Sequence, residues 1–171
     1  MNMHATSHNR TQSGFLASTA QLLAAAQDGA SPGDSVAPSR ASSTALRTLI
    51  VEDAPQIADR LVEMVSSPGI VEVTAIAATE NLAIAACDQQ VFDLAVVDLQ
   101  LAQGTGFAVI RRLRANDYGG HRACIVVLTN HAVPALKIAA LEAGADHFFD
   151  KSKDFASIPR VIRELLSSRS K

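Results

Sequence analysis

The eight residues Phe92 to Leu99, FDLAVVDL, decide how the rest of the chain is read. Their centre, Leu94-Ala95-Val96-Val97, is an unbroken apolar run of strand length that leads into a carboxylate, Asp98. A strand with one wet face alternates apolar and polar residues. A run without alternation marks a strand covered on both faces, as in parallel sheets. Other strand-sized runs lie on either side: Leu46 to Glu52 (LRTLIVE) and Val71 to Ala77 (VEVTAIA) before it, Cys124 to Leu128 (CIVVL) and His147 to Phe149 (HFF) after it.

Helical patterns fill the intervals. Pro55 stands at a first helical turn ahead of Ile57, Leu61, Met64 and Val65, an i, i+4, i+7, i+8 stripe ended by Pro68-Gly69. Thr79 is the predicted N-cap of a helix through Leu82, Ala83, Ala86 and Cys87. Gly104-Thr105-Gly106 opens a helix bearing Phe107, Ile110 and Leu113. Another runs from Pro134 to Ala143, with Gly144 as its C-terminal stop. Phe155, Ile158, Ile162 and Leu165 stripe the last. Five strands alternating with five helices predict an α/β fold, a doubly wound five-stranded parallel sheet with helices on both faces. Ligands in such folds bind at the carboxyl ends of the strands.

Residues 1–45 follow a different composition. Ala, Ser, Thr, Gly and Pro make up 27 of those 45 residues, and only Arg10, Asp28, Asp34 and Arg40 are charged. Such a segment buries too little apolar surface to offset its chain entropy, so it is predicted to be a mostly disordered extension. Phe15, Leu16, Thr19, Leu22, Leu23 and Ala26 recur at helical spacing and mark one candidate short helix, stopped by Gly29 and Pro32. That helix reads either as a partner-docking segment or as a weakly helical Ala-rich tail. A cleaved signal is disfavoured, since no basic cluster precedes a long apolar run. The folded domain is expected over residues 46–171.

Composition narrows the function classes. Across 171 residues there are 15 basic and 17 acidic side chains, without the basic excess of a nucleic-acid binder. No apolar run approaches the roughly 18 residues of a membrane span. Two cysteines, Cys87 and Cys124, are too few for a disulfide framework and lack metal-ligand spacing, so both are expected to be reduced packing residues. A reducing, cytoplasmic compartment is the expectation.

The strand ends then carry the chemistry. Glu52-Asp53 closes the first strand, Asp98 the third and Thr129 the fourth, and Lys151 follows the fifth. Two unit charges 4 Å apart repel by roughly 4 kcal/mol at an effective dielectric of 20, so three clustered carboxylates demand compensation. One lysine cannot neutralise three acids. A divalent cation with oxygen ligands can, and Mg²⁺ takes one or two carboxylates plus water and a phosphoryl oxygen. Thr129 and Lys151 suit an incoming anion, a hydroxyl donor and a point charge aimed at the same oxygens. Together these groups read as a phosphoryl-transfer site with an aspartate nucleophile.

In order along the chain, the acidic pair, the aspartate of VVDLQLAQGTGF, the threonine of VVLTN and the lysine of HFFDKS resemble the receiver domain of bacterial two-component response regulators. The likeness spans Leu46 to about Ser168 and is to the stand-alone, chemotaxis-regulator-like form. It implies a flavodoxin-like strand order 2-1-3-4-5. It implies that Asp98 accepts a phosphoryl group from a phosphohistidine on a histidine kinase or phosphotransfer protein. Mg²⁺ would be held by Asp53, Asp98 and the backbone carbonyl of Gln100, with Glu52 helping directly or through water. Lys151 would pair with the phosphoryl oxygens, Thr129 would swing toward the acyl phosphate, and the Phe148 rotamer would follow. Output would be protein–protein contact by a single-domain regulator, with self-phosphorylation and self-dephosphorylation but no enzyme activity on other substrates. A homodimer through the last helices is an open option.

This sequence departs from the family pattern at three places. Ser152 follows the lysine where a proline, commonly cis, is usual; a non-proline cis bond costs about 2.5–4 kcal/mol, so a trans and differently shaped loop is expected. Asn130 follows Thr129 where a small residue is common, and is expected to crowd the pocket. Gln100 and His131 stand where the family tunes water access to the acyl phosphate. Plainer readings remain beside these: Thr129 as a β-favouring residue, Phe148 as a core aromatic, and Arg111, Arg112 and Arg114 as a solvated helix face or partner contact. Gly104 and Gly106 are turn glycines without the GxGxxG spacing of a nucleotide loop. The rival from another class is a receiver-like interaction module or scaffold that is never phosphorylated. A small hydrolase with an aspartyl-phosphate intermediate is disfavoured, because Gln100 stands where its second acid/base carboxylate would be.

Overall fold

The computed structural model describes residues 45–115 and 122–169. The extension up to Thr44, with the candidate helix on Phe15 to Ala26, lies outside the described residues. Within them the elements run β1 (Leu46–Val51), α1 (Pro55–Val65), β2 (Val71–Ala77), α2 (Glu80–Gln89), β3 (Leu94–Val97) and α3 (Gly106–Arg114). Then follow β4 (Cys124–Thr129), α4 (Pro134–Glu142), β5 (His147–Asp150), a 3-10 turn (Phe155–Ser157) and α5 (Ile158–Arg169). All five strands pair in parallel in the order β2-β1-β3-β4-β5. The expected α/β doubly wound sheet is the one that forms.

Period-two alternation along the strands divides the core. Leu49, Val51, Ala95, Val97, Ile125 and Val127 face one side and pack with Ala83 and Cys87 of α2, Ile110 and Leu113 of α3 and Ala140 of α4. Ile50, Leu94, Val96, Val126 and Leu128 face the other and pack with Leu61 and Val65 of α1 and Ile158, Val161 and Ile162 of α5. Each Val, Leu or Ile among them, buried completely, contributes about 1.5–3 kcal/mol. Every residue of β3 is buried, which accounts for its lack of alternation.

Local signals act as expected at most boundaries. Pro55 starts α1, and the Thr79 hydroxyl accepts a hydrogen bond from Leu82 N at 3.3 Å as the α2 cap. Gly144 follows α4 with φ 111°, the left-handed region that favours glycine. Two details differ. Phe155 belongs to the 3-10 turn, since α5 begins at Ile158 with Pro159 in its first turn. The arginines of α3 are not a simple solvated face. Arg112 pairs with Asp88 of α2 at 2.8 Å, and Arg114 is drawn under the sheet.

The amino end of the sheet is tied by two aspartates. Asp93 accepts from Arg47 N at 2.8 Å and lies 3.0 Å from Arg169 Nη1 and 3.9 Å from Arg47 Nε. Asp146 accepts from Arg114 at 2.5 Å, Arg122 at 2.8 Å and Ile125 N at 2.8 Å. Arg114 also donates to the carbonyls of Gly144 and Ala123, each at 2.8 Å. No helix among the described residues is long and apolar enough to cross a membrane.

Candidate functional site

The chain leaves β1 toward β2 on one side and returns to β3 on the other, so the crevice of the topological switch opens above the carboxyl ends of β1 and β3. Glu52 and Asp53 follow β1 and Asp98 follows β3 at that point. One carboxylate oxygen from each lies within 4.8 Å of the others. Glu52 and Asp98 are buried, at 3% and 6% exposure, and Asp53 is half-buried.

Lys151 completes the cluster. Its Nζ donates to Glu52 Oε2 at 2.5 Å and to Asp98 Oδ2 at 2.6 Å, with only 6% of the side chain exposed. Burial raises the Glu52 carboxyl above the usual carboxylate range, partly offset by the Lys151 bond. Burial pulls the Lys151 ammonium down, but the bonds to Asp98 and Glu52 outweigh it and hold the group above its ordinary value. Among the described residues no basic side chain pairs with Asp53. Its Oδ2 accepts from Ala102 N at 2.9 Å. Three ionised carboxylates and one ammonium leave two negative charges, and each close carboxylate pair costs on the order of 3–4 kcal/mol at an effective dielectric of 20. A hard divalent cation with oxygen ligands fits that donor set and that charge.

The loop after β3 is pinned around Asp98. Gln100 N donates to Asp98 Oδ1 at 3.1 Å, Gly106 N to the Leu99 carbonyl at 3.1 Å, and the Thr105 hydroxyl caps α3 through Phe107 N at 3.2 Å. A Cβ on Gly106 would stand 2.1 Å from the Asp98 carbonyl oxygen, so the backbone can pass there only without a side chain. Thr129 is fully buried at the end of β4, and its hydroxyl accepts from His131 N at 3.4 Å. Phe148 is half-buried on β5 and packs against the α2–α4 side of the core. Thus Glu52, Asp53, Asp98 and Lys151 are brought into direct association, with Gln100 beside Asp98 through its amide.

The departures fall at the rim. Asn130, His131 and Gln100 are all exposed. No cis peptide bond occurs among the described residues, so the bond before Ser152 is trans, as expected for a serine. Asp150, not anticipated from the sequence, organises the loop after β5. Its Oδ1 accepts from Ser152 N at 2.8 Å and from the Ser152 hydroxyl at 2.6 Å, and these bonds hold its carboxyl below the usual range. The only sequence signal was an Asp two residues ahead of a Ser, a pairing typical of turns. Cys87 is buried and Cys124 half-buried, neither in a disulfide, and burial pushes the Cys124 thiol up to about 11.

Comparison with known proteins agrees with this geometry. The family model for the response regulator receiver domain matches residues 48–163. The photosynthetic apparatus regulatory protein RegA of Cereibacter sphaeroides is 35% identical over 114 residues, covering 67% of this chain and 59% of RegA. RegA of Rhodobacter capsulatus is 31% identical over the same length. The chain therefore spans about three fifths of the length of these relatives, which are RegA-type regulators and not chemotaxis regulators. Among solved structures, a LuxR-family response regulator from Aurantimonas aligns with TM-score 0.63 at 27% identity, covering 72% of this chain and 86% of that one. The receiver domain of sensor histidine kinase PA1611 from Pseudomonas aeruginosa, with a magnesium ion coordinated in its active site cleft, shares the fold with TM-score 0.57 at 23% identity, covering 72% of this chain and 98% of that one. With the family match over well over half of the chain, the strand order and the acidic rim in accord, this chain belongs to the response regulator receiver domains, phosphoacceptor signalling modules rather than enzymes in the ordinary sense.

Proposed function

We propose that Asp98 is the phosphoacceptor of this receiver and that a phosphohistidine on a histidine kinase or phosphotransfer protein is its donor. The observation that carries the reading is the unbalanced charge at the switch point: Glu52, Asp53 and Asp98 against Lys151 alone. In this reading an Asp98 carboxylate oxygen attacks phosphorus, the P–N bond to the imidazole breaks, and the imidazole leaves with the electron pair. Asp53, Asp98 and the Gln100 carbonyl would hold Mg²⁺, with Glu52 assisting. The ion supplies neutralisation of charge on the phosphoryl oxygens. Lys151, now bonded to Asp98, exchanges that bond for one to a phosphoryl oxygen. Thr129 offers its hydroxyl to the same group, and Phe148 follows its movement. Gln100 and His131, exposed at the rim, set how water reaches the acyl phosphate. The near balance of 15 basic and 17 acidic residues favours output through protein contact over direct nucleic-acid binding. In this reading residues 46–171 are the receiver and residues 1–45 an extension to it.

Intact-protein mass spectrometry after incubation with Mg²⁺ and a small acyl phosphate tests the acceptor. A phosphate-sized gain is expected, lost in Asp98→Ala and in EDTA. Absence of the gain, together with failure to bind Mg²⁺ and beryllofluoride, would overturn the reading in favour of a constitutive interaction module.

A further inference from the structure

The loop carrying Lys151 is held from two directions. On its amino side the sheet fixes it, since Lys151 N donates to the Thr129 carbonyl at 3.0 Å. On its carboxyl side the hold is local and centres on Asp150. Besides the two Ser152 bonds, the Asp150 carbonyl accepts from Lys153 N at 3.1 Å and from Asp154 N at 2.7 Å. Asp150 N in turn donates to Asp154 Oδ2 at 3.1 Å, and Lys153 Nζ lies 3.4 Å from Asp150 Oδ2. Residues 150–154 thus form a closed ring of hydrogen bonds. Lys151 stands within it, with its side chain projecting to Glu52 and Asp98.

A lysine stem is flexible, so the direction of its backbone decides whether Nζ reaches both carboxylates. A proline after the lysine would stiffen that backbone by fixing φ, but it has no N–H. Ser152 has an N–H and a hydroxyl, and Asp150 takes both. Hydrogen bonds to one carboxylate oxygen do here what a ring would do. Among the described residues, the bonds of the Asp150 carboxylate stay within its own loop.

We propose that Asp150 is a positioning residue for Lys151: by holding Ser152 it gives the β5–α5 loop the shape that keeps Lys151 Nζ between Glu52 and Asp98. The proposal rests on the reading of Lys151 as a partner of the phosphoryl group.

The test compares the full chain with Asp150→Ala, which removes the acceptor, and Asp150→Asn, which keeps Oδ1 and drops only the charge. At saturating Mg²⁺, Asp150→Ala is expected to slow phosphate gain from an acyl phosphate about tenfold, and Asp150→Asn to stay within about twofold of the parent. Urea midpoints and Mg²⁺ affinity should move little in either. Equal slowing in both variants, or none in Asp150→Ala, would overturn the proposal. A separate readout is the ¹⁵N resonance of the Lys151 ammonium. It should be slowly exchanging in the parent and Asp150→Asn and lost to exchange in Asp150→Ala. If the parent takes no phosphate and binds neither Mg²⁺ nor beryllofluoride, the phosphoacceptor reading fails, and this resonance alone decides whether Asp150 positions Lys151; its survival in Asp150→Ala would sink the idea.

Discussion

The two ends of the sheet treat buried charge in opposite ways. At the amino end each aspartate is matched. Asp93 lies between Arg47 and Arg169, and Asp146 receives Arg114, Arg122 and a backbone amide. At the carboxyl end three carboxylates share one lysine. The matched end gains nothing from a further ligand, so its charges serve the fold. The unmatched end carries a standing deficit of positive charge, and that deficit is what a cation answers. Charge alone does not distinguish a structural cluster from a functional one; the balance of charge does.

The largest test of this contrast is Asp146→Ala, which strands Arg114 and the Ile125 amide. It should lower unfolding stability in urea by about 3 kcal/mol and leave Mg²⁺ affinity near that of the parent. A comparable loss of Mg²⁺ affinity would show that the ends are not separable. Next is Gly106→Ala, where the new Cβ meets the Asp98 carbonyl. A loss of about 2 kcal/mol is expected, with weakened Mg²⁺ binding as well, because the strain falls on Asp98's own backbone. Asp53→Asn acts on the deficit itself. Without metal its stability should equal or exceed that of the parent by up to about 1 kcal/mol, since a like charge has gone. With Mg²⁺ at tenfold its parent Kd, the parent should gain about 1.4 kcal/mol and the variant almost none.

The smallest effect concerns pH. Burial raises the Glu52 carboxyl above 4.5 in the folded chain. Between the ordinary value and the raised one the folded chain binds more protons than the unfolded chain, so metal-free stability falls as pH rises through that window. Saturating Mg²⁺ should flatten the slope. The raised Lys151 ammonium acts at the other extreme: its contribution is complete below about 10.5 and is lost as pH rises through the folded value. Urea titrations with and without Mg²⁺ at successive pH values check both signs.

Most of the fold was legible because burial leaves a periodic trace. The Leu94–Val97 run could be only a covered strand, and Pro55, Thr79 and Gly144 marked helix ends through backbone constraints that are local. The rim was legible for a related reason: strand ends are where a doubly wound sheet presents side chains, so Glu52, Asp53, Asp98, Thr129 and Lys151 could be collected before their distances were known. Asp93, Asp146 and Arg114 were not. An aspartate just ahead of a strand looks like any turn residue, and its partners lie 21 or more positions away along the chain, where no spacing rule reaches. Asp150 was missed for the opposite reason. Its partners are so near that the pattern is indistinguishable from an ordinary polar loop.

The bond between Lys151 and Glu52 joins residues 99 positions apart. A chain emerging from the ribosome therefore displays Glu52, then Asp98, long before it can supply the ammonium. That contact closes only after β5 has paired with β4, the last strand addition in chain order. Among the contacts of the rim, the two made by Lys151 register completion. A truncated or half-folded chain carries the acids without the lysine, and so lacks the geometry of the completed rim.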